Sequence, residues 1–297
     1  MEKEESFGRE KDETMRLTQQ QGEQAMDRIR RNERMTAMMK LLSGRPNRIF
    51  TLNSFCELFG SAKSTMSEDV DLLQQVTKAF DLGEVETVTG AAGGVRYRPA
   101  VSRKKARETI EELCEKLSGT ERVLPGGFLY YSDILSMPEI VNRMGEIIAT
   151  EYYDAKPDFV LTMETKGIPV AFATANALGV PLVIARHSSR VYEGSAVNIN
   201  YVSGSGSIET MSLSRRAVKE NQKALIVDDF LKGGGTAGGM VELMREFNVK
   251  VVGMAFVMST AAPEKKRISG EKALMTLEVT DGEPASAVVR PAEWLNS

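Results

Sequence analysis

Apolar residues recur at three- and four-residue steps along three early segments, which marks them as amphipathic helices. Arg34 to Leu42 (RMTAMMKLL) is the first, broken by SGRPN, and Leu52 to Phe59 (LNSFCELF) is a second, closed by Gly60, with Cys56 in its apolar face. Ser61 to Phe80 is the third, with Met66, Val70, Leu73 and Val76 or Thr77 on one side. Two short alternating runs follow, Val85 to Thr89 and Val95 to Arg98, joined by GAAGG. Three helices and a glycine-tipped hairpin follow one another in the order of a winged helix-turn-helix domain, which the pattern places at residues 34–100. Arg103 to Leu117, basic and then acidic, predicts a linker helix within 101–123.

From Asp158 onward the period changes. FVLTM, VPLVIAR, ALIVDD, VVGMAFVM and ALMTLEV are short runs rich in branched residues and bounded by Gly, Pro or charge. Ile168 to Leu178 and Gly239 to Phe247 lie between them with helical spacing. Buried strands alternating with helices predict an α/β domain with a mostly parallel sheet, spanning 124–297. Asn198 to Ser214 interrupts the alternation as an antiparallel hairpin with a Gly/Ser tip. Residues 1–33 show no sustained apolar period and are expected to be a disordered or frayed extension.

Composition narrows the function. The 297 residues are 42% apolar and 27% charged, the balance of a soluble globular chain. Its longest apolar stretch, Val251 to Met258, falls far short of the ~20 residues of a membrane span. The acidic, polar start predicts a cytoplasmic protein. Two distant cysteines and a single histidine argue against a disulfide framework, a zinc cluster or a His-based metal site. The net charge of −3 is unevenly spread, because Arg34 to Arg107 carries twelve basic and seven acidic residues. A basic block in an acidic chain suggests a polyanion-binding module attached to something else.

Leu225 to Met240 (LIVDDFLKGGGTAGGM) carries the strongest chemical signal. A buried strand ends in the carboxylates Asp228 and Asp229, and a glycine-rich turn with Thr236 leads into a helix. Bare amides from Gly233 to Ala237, the positive end of the helix and a hydroxyl suit a phosphate group. The two acids, being acceptors, suit ribose hydroxyls directly or through Mg²⁺. Phosphate beside a ribose diol describes a 5-phosphoribosyl group. Gly233, Gly235 and Gly238 also fit G-x-G-x-x-G, but the following strand ends Met258-Ser259-Thr260 without the acid a dinucleotide site requires, and no Walker-type loop occurs.

Leu225 to Thr236 resembles the phosphoribosyl-diphosphate (PRPP) motif of type I phosphoribosyltransferases, and Thr162 to Gly167 (TMETKG) resembles their pyrophosphate loop. That likeness implies a phosphoribosyltransferase-like fold and a PRPP site made of Asp228, Asp229, Lys232, Gly233, Gly234, Gly235 and Thr236 with Thr165, Lys166, Gly167 and Arg186. His187 to Ser207 is similar to the loop that closes over the ligand. Lys232 and Gly233 stand where catalytic members carry small or hydroxyl residues, which points away from transferase chemistry. Phe128, or Tyr130 beside it, is a candidate to stack on a purine base.

In the basic block, Lys63, Ser64, Thr65 and Ser67 open the third helix and could approach base edges and phosphates. Arg96 and Arg98 on the wing, with Arg34, Lys40, Arg45 and Arg48, would give seven or eight phosphate contacts. The two halves together resemble the purine operon repressor family through SAKSTMSED, GAAGGVRY, EGSAVNINYVSGS and DDFLKGGGT. This resemblance implies a homodimeric regulator that binds duplex operator DNA and is released by PRPP, with Mg²⁺ accompanying the effector and no obligatory cofactor. A purine nucleotide could occupy the same pocket as co-repressor. The alternative is an active purine phosphoribosyltransferase with a regulatory extension.

Overall fold

The computed structural model describes residues 29–90, 93–189, 194–204, 206–280 and 284–296. Most of the segment expected to be disordered, 1–28, lies outside them. Helix α1 runs Arg31–Ser43, beginning three residues before the apolar period does. Two polar devices extend it. The Arg30 amide donates to the Glu33 carboxylate at 2.8 Å, and Arg31 and Arg34 both reach Asp69 on a later helix.

Helix α2 spans Leu52–Phe59, capped by Thr51, whose hydroxyl accepts the Ser54 amide, and closed by Gly60 in the left-handed conformation. Helix α3 spans Lys63–Ala79, and strands β1 (Glu84–Val88) and β2 (Gly94–Arg98) pair antiparallel. Phe50 bridges to Val95, so the turn before α2 adds a third edge to the wing. Met38, Leu42, Phe55, Phe59, Met66, Val70 and Leu73 form one core under the hairpin. Helix α4, Arg103–Leu117, follows as expected, and its cap Ser102 donates to Asp81, fastening the linker to the turn between α3 and β1.

The second module opens with the short strands β3 (Val123–Leu124) and β4 (Phe128–Leu129), a single helical turn α5 (Ser132–Leu135) and helix α6 (Pro138–Tyr152). Its sheet contains β5 (Phe159–Met163), β6 (Leu182–Ala185), β9 (Lys223–Leu231), β10 (Lys250–Thr260), β11 (Lys272–Thr280) and β12 (Ser286–Pro291). They lie in the order β12-β11-β10-β9-β5-β6, parallel except for β12. Helix α7 (Ile168–Leu178) connects β5 to β6, and helix α8 (Gly235–Glu246) connects β9 to β10. A separate hairpin, β7 (Ala196–Val202) with β8 (Ile208–Ser214), packs beside α8.

Alternate residues of β9 serve opposite faces. Leu225 and Val227 join α4, α6 and α7 in one core, while Ala224 and Ile226 join α8 and the hairpin in the other. The chain leaves β5 for β6 and leaves β9 for β10 in opposite directions, although β5 and β9 are neighbours. Their carboxyl ends therefore flank the switch point of the sheet, where no crossover fills the crevice.

Candidate functional site

Both sequence-predicted loops emerge at this crevice. Thr165, Lys166 and Gly167 follow β5, and Asp228 to Thr236 follow or end β9. A cavity of about 440 Å³ is lined by Thr165, Lys166, Asp228, Asp229 and Thr236, together with His187 and Tyr201 from the far wall. Gly167 is there of necessity, because a side chain at that position would collide with the Asp228 carboxylate. The loop thus lies directly on the acid. Gly234 holds a left-handed turn at φ 79, and a side chain at Gly235 would collide with the Val202 carbonyl, so hairpin and glycine-rich loop touch backbone to backbone. Helix α8 begins at Gly235, four residues before the apolar period, and Thr236 in its first turn lines the cavity.

The paired acids differ in role. Asp228 is only 7% exposed, accepts the Asp229 amide at 3.0 Å and is hydrogen-bonded by the Thr162 side chain. Burial first, and the neighbouring Asp229 charge second, push its pKa well above the ordinary carboxylate range. Asp229 is half-buried, and its Oδ2 accepts the Tyr131 hydroxyl at 2.6 Å. The Tyr131 ring stacks on Phe230, with the Lys166 ammonium 4.9 Å above its centroid. Desolvation and Asp229 raise the Tyr131 phenol, which keeps it a donor. Sequence reasoning missed Tyr131 because it sits in a loop without periodicity, three residues beyond the favoured Phe128.

Tyr201 and Glu209 of the hairpin were also missed. The Tyr201 hydroxyl donates to Glu209 at 2.9 Å and hydrogen-bonds with Thr236, and burial with that carboxylate pushes its pKa up to about 12. Arg186 does not line the cavity. Its guanidinium bonds Glu164 at 3.1 Å, and the same carboxylate accepts the His187 amide at 2.7 Å, so Arg186 braces the pyrophosphate-type loop from behind. Within the His187 to Ser207 loop, residues 190–193 and 205 lie outside the described residues.

A second, larger cavity of about 1170 Å³ adjoins the first through Lys166 and Phe230. Phe128, 68% exposed, and Lys232 line it, whereas Tyr130 does not. Glu264 and Glu278 add carboxylates that the sequence beyond Ser259 did not advertise. It is roomy and aromatic on one side, the character of a pocket for a flat ring.

The basic module is partly reassigned. Lys63, Ser64 and Ser67 are exposed in the first turns of α3 with Thr65 half-buried between them, and Lys40, Arg45 and Arg48 are exposed. Arg34 is corrected from a DNA contact to a core residue, because it is 7% exposed and bonded to the fully buried Asp69 at 2.7 Å. Arg96 pairs with Glu86, its cross-strand neighbour, at 2.8 Å. Arg98 pairs with the same Glu86 at 3.4 Å and lies 4.8 Å over the ring of Tyr153, which caps α6. Arg34 is thus neutralised in the core, while Arg96 and Arg98 share the one Glu86 carboxylate at a half-buried position on the wing. Asp69 falls between Met66 and Leu73 on the buried face of α3, a placement that foretells its need for a cation.

Fold and site define a phosphoribosyltransferase-type domain carried behind a winged helix. The family model described as bacterial purine repressor, N-terminal, matches residues 30–99, and that of the phosphoribosyl transferase domain matches residues 131–289. The chain belongs to the bacterial purine repressor family. It is 43% identical over 256 residues, 86% of this chain and 93% of the relative, to a probable purine biosynthesis transcriptional regulator of Streptococcus pneumoniae serotype 4. It is 38% identical to the purine biosynthesis transcriptional repressor of Bacillus subtilis, covering 90% of this chain and 94% of that one. The purine biosynthesis transcriptional activator of Lactococcus lactis strain IL1403 is 39% identical, with 85% and 94% covered. No helix among the described residues is long and apolar enough to cross a membrane.

Proposed function

We propose that this protein is a homodimeric transcriptional repressor of purine genes that grips duplex operator DNA through its winged helix and loosens when PRPP enters the switch-point crevice. One juxtaposition carries the reading: a crevice lined by Thr165, Lys166, Asp228, Asp229 and Thr236, suited to a ribose-phosphate group, sits in one chain with a module exposing Lys63, Ser64 and Ser67 on its third helix. The 5-phosphate meets the amides at the start of α8, the ribose hydroxyls meet Asp229 and Asp228, and the pyrophosphate meets Lys166. Among the described residues no cluster of three His, Cys, Asp or Glu side chains could hold a metal alone, so Mg²⁺ would arrive on the phosphates. A purine nucleotide would use the same ribose-phosphate contacts, with its base in the larger cavity against Phe128.

Repression, rather than activation, follows the description of the matching family model, since relatives of similar identity carry both names. The absence of transfer chemistry is supported by Lys232 and Gly233, which depart from the catalytic pattern beside the sugar. The test pairs two assays on the full-length protein. Calorimetry with PRPP and Mg²⁺ should give a saturable heat that Asp228→Asn abolishes, while incubation with PRPP and xanthine, guanine, hypoxanthine or adenine should give no nucleotide. Ordinary turnover would establish the transferase reading instead.

A further inference from the structure

Helix α7 touches both functional regions. Its first residue follows Gly167 of the pyrophosphate-type loop, and its last turn meets the winged helix about 16 Å away, the length of eleven helical residues. At that far end the Asn47 side-chain amide donates to the Leu178 carbonyl at 2.8 Å, and a side chain at Gly179 would collide with the Pro46 carbonyl. Asn47 lies between the exposed Arg45 and Arg48 and has φ 58. It is held to the base of the wing as well, because its amide donates to the Tyr97 carbonyl at 2.7 Å and its side-chain oxygen accepts Arg98 at 3.4 Å. A second bridge runs beside the first. The Tyr153 hydroxyl donates to the Ala177 carbonyl at 3.3 Å, and its ring carries the Arg98 guanidinium.

Both bridges therefore end on the last two residues of α7. The helix between is buried along Val170, Ala171, Ala173, Thr174, Ala175 and Ala177, so a shift at one end is carried to the other. We propose that α7 is the strut that couples effector occupancy to DNA affinity, with Asn47 and the Arg98–Tyr153 pair as its joint to the winged helix. This rests on the effector reading above and adds the route. Ligand ordering of Thr165 to Gly167 selects one position of α7, and the joint converts that position into an orientation of the turn carrying Arg45 and Arg48.

Asn47→Asp keeps a residue that tolerates positive φ but replaces the donor facing Leu178 by a second acceptor. Tyr153→Phe removes only the bond to Ala177. Each variant, and the pair, is titrated with an operator fragment in the presence and absence of saturating PRPP and Mg²⁺, and PRPP binding is measured separately by calorimetry. Wild type should show an affinity ratio in the usual ~5–150-fold span of allosteric couplings. The variants should bind PRPP as wild type does while their ratios, each taken against the variant's own PRPP-free affinity, fall by about fivefold or more, toward one in the pair. By reciprocity, DNA should also cease to weaken PRPP binding in them. A wild-type ratio retained in either properly folded single variant and in the pair overturns the strut. A wild-type protein that gives no PRPP heat overturns the effector reading itself, and the two failures are read from different instruments.

Discussion

Asp228 is the residue at which stability and function pull apart. Its raised pKa means that the folded state holds the proton more tightly than the unfolded chain does. The stabilising contribution is therefore complete below the ordinary carboxylate range of the unfolded chain and is lost as pH rises through the raised value. Ligand-free protein should unfold at progressively lower temperature across that window, and Asp228→Asn, which cannot ionise, should flatten this dependence while losing the response to PRPP. A pH series of thermal melts on both proteins checks it. Arg34 gives a second residue-scale test. Removing Asp69 strands Arg34 in the core, so Asp69→Ala should cost the N-terminal module about 3–5 kcal/mol, read as a lowered denaturant midpoint. Lys63→Ala should leave that midpoint nearly unchanged and weaken operator binding by roughly 1–3 kcal/mol if it reads a base, or flatten the salt slope by about one if it meets phosphate.

At the scale of elements, the hairpin β7–β8 and the start of α8 form one wall, closed where Val202 meets Gly235 and Tyr201 meets Thr236. Gly235→Ala must push these apart, so it should weaken PRPP binding without altering PRPP-free DNA affinity, a difference calorimetry and a binding assay can separate. Much of this was written in the sequence. Branched runs such as FVLTM and ALIVDD, bounded by turns and alternating with helices, read as buried parallel strands, and the acid pair before the glycines marked the strand end that lines the switch-point crevice. What stayed hidden was set by contacts distant along the chain. Helix α6 and strand β12 had gone unassigned, and Tyr131 joins Asp229 across 98 residues. The wing arginines were misread for a different reason. Charge counting treats every arginine as solvated, yet the hairpin register itself sets Glu86 against Arg96.

For the whole molecule, the reassignment of Arg34, Arg96 and Arg98 leaves Lys40, Arg45, Arg48 and Lys63 as the exposed cations among those the sequence nominated. Operator affinity should then fall with salt at a slope near −4 per protomer, not the −6 to −7 that seven or eight contacts would give. The winged helix is bound to the second module at Asn47–Leu178 and Arg98–Tyr153, and to the linker helix at Ser102–Asp81, contacts through which the proposed coupling would pass. A purine-gene promoter fragment titrated with full-length protein, with and without saturating PRPP and Mg²⁺ at one fixed salt concentration, asks the central question most directly. Tight binding that weakens at least ~5-fold when PRPP is present is the expected result. Equal affinity in both titrations, from protein that demonstrably binds PRPP, would contradict it.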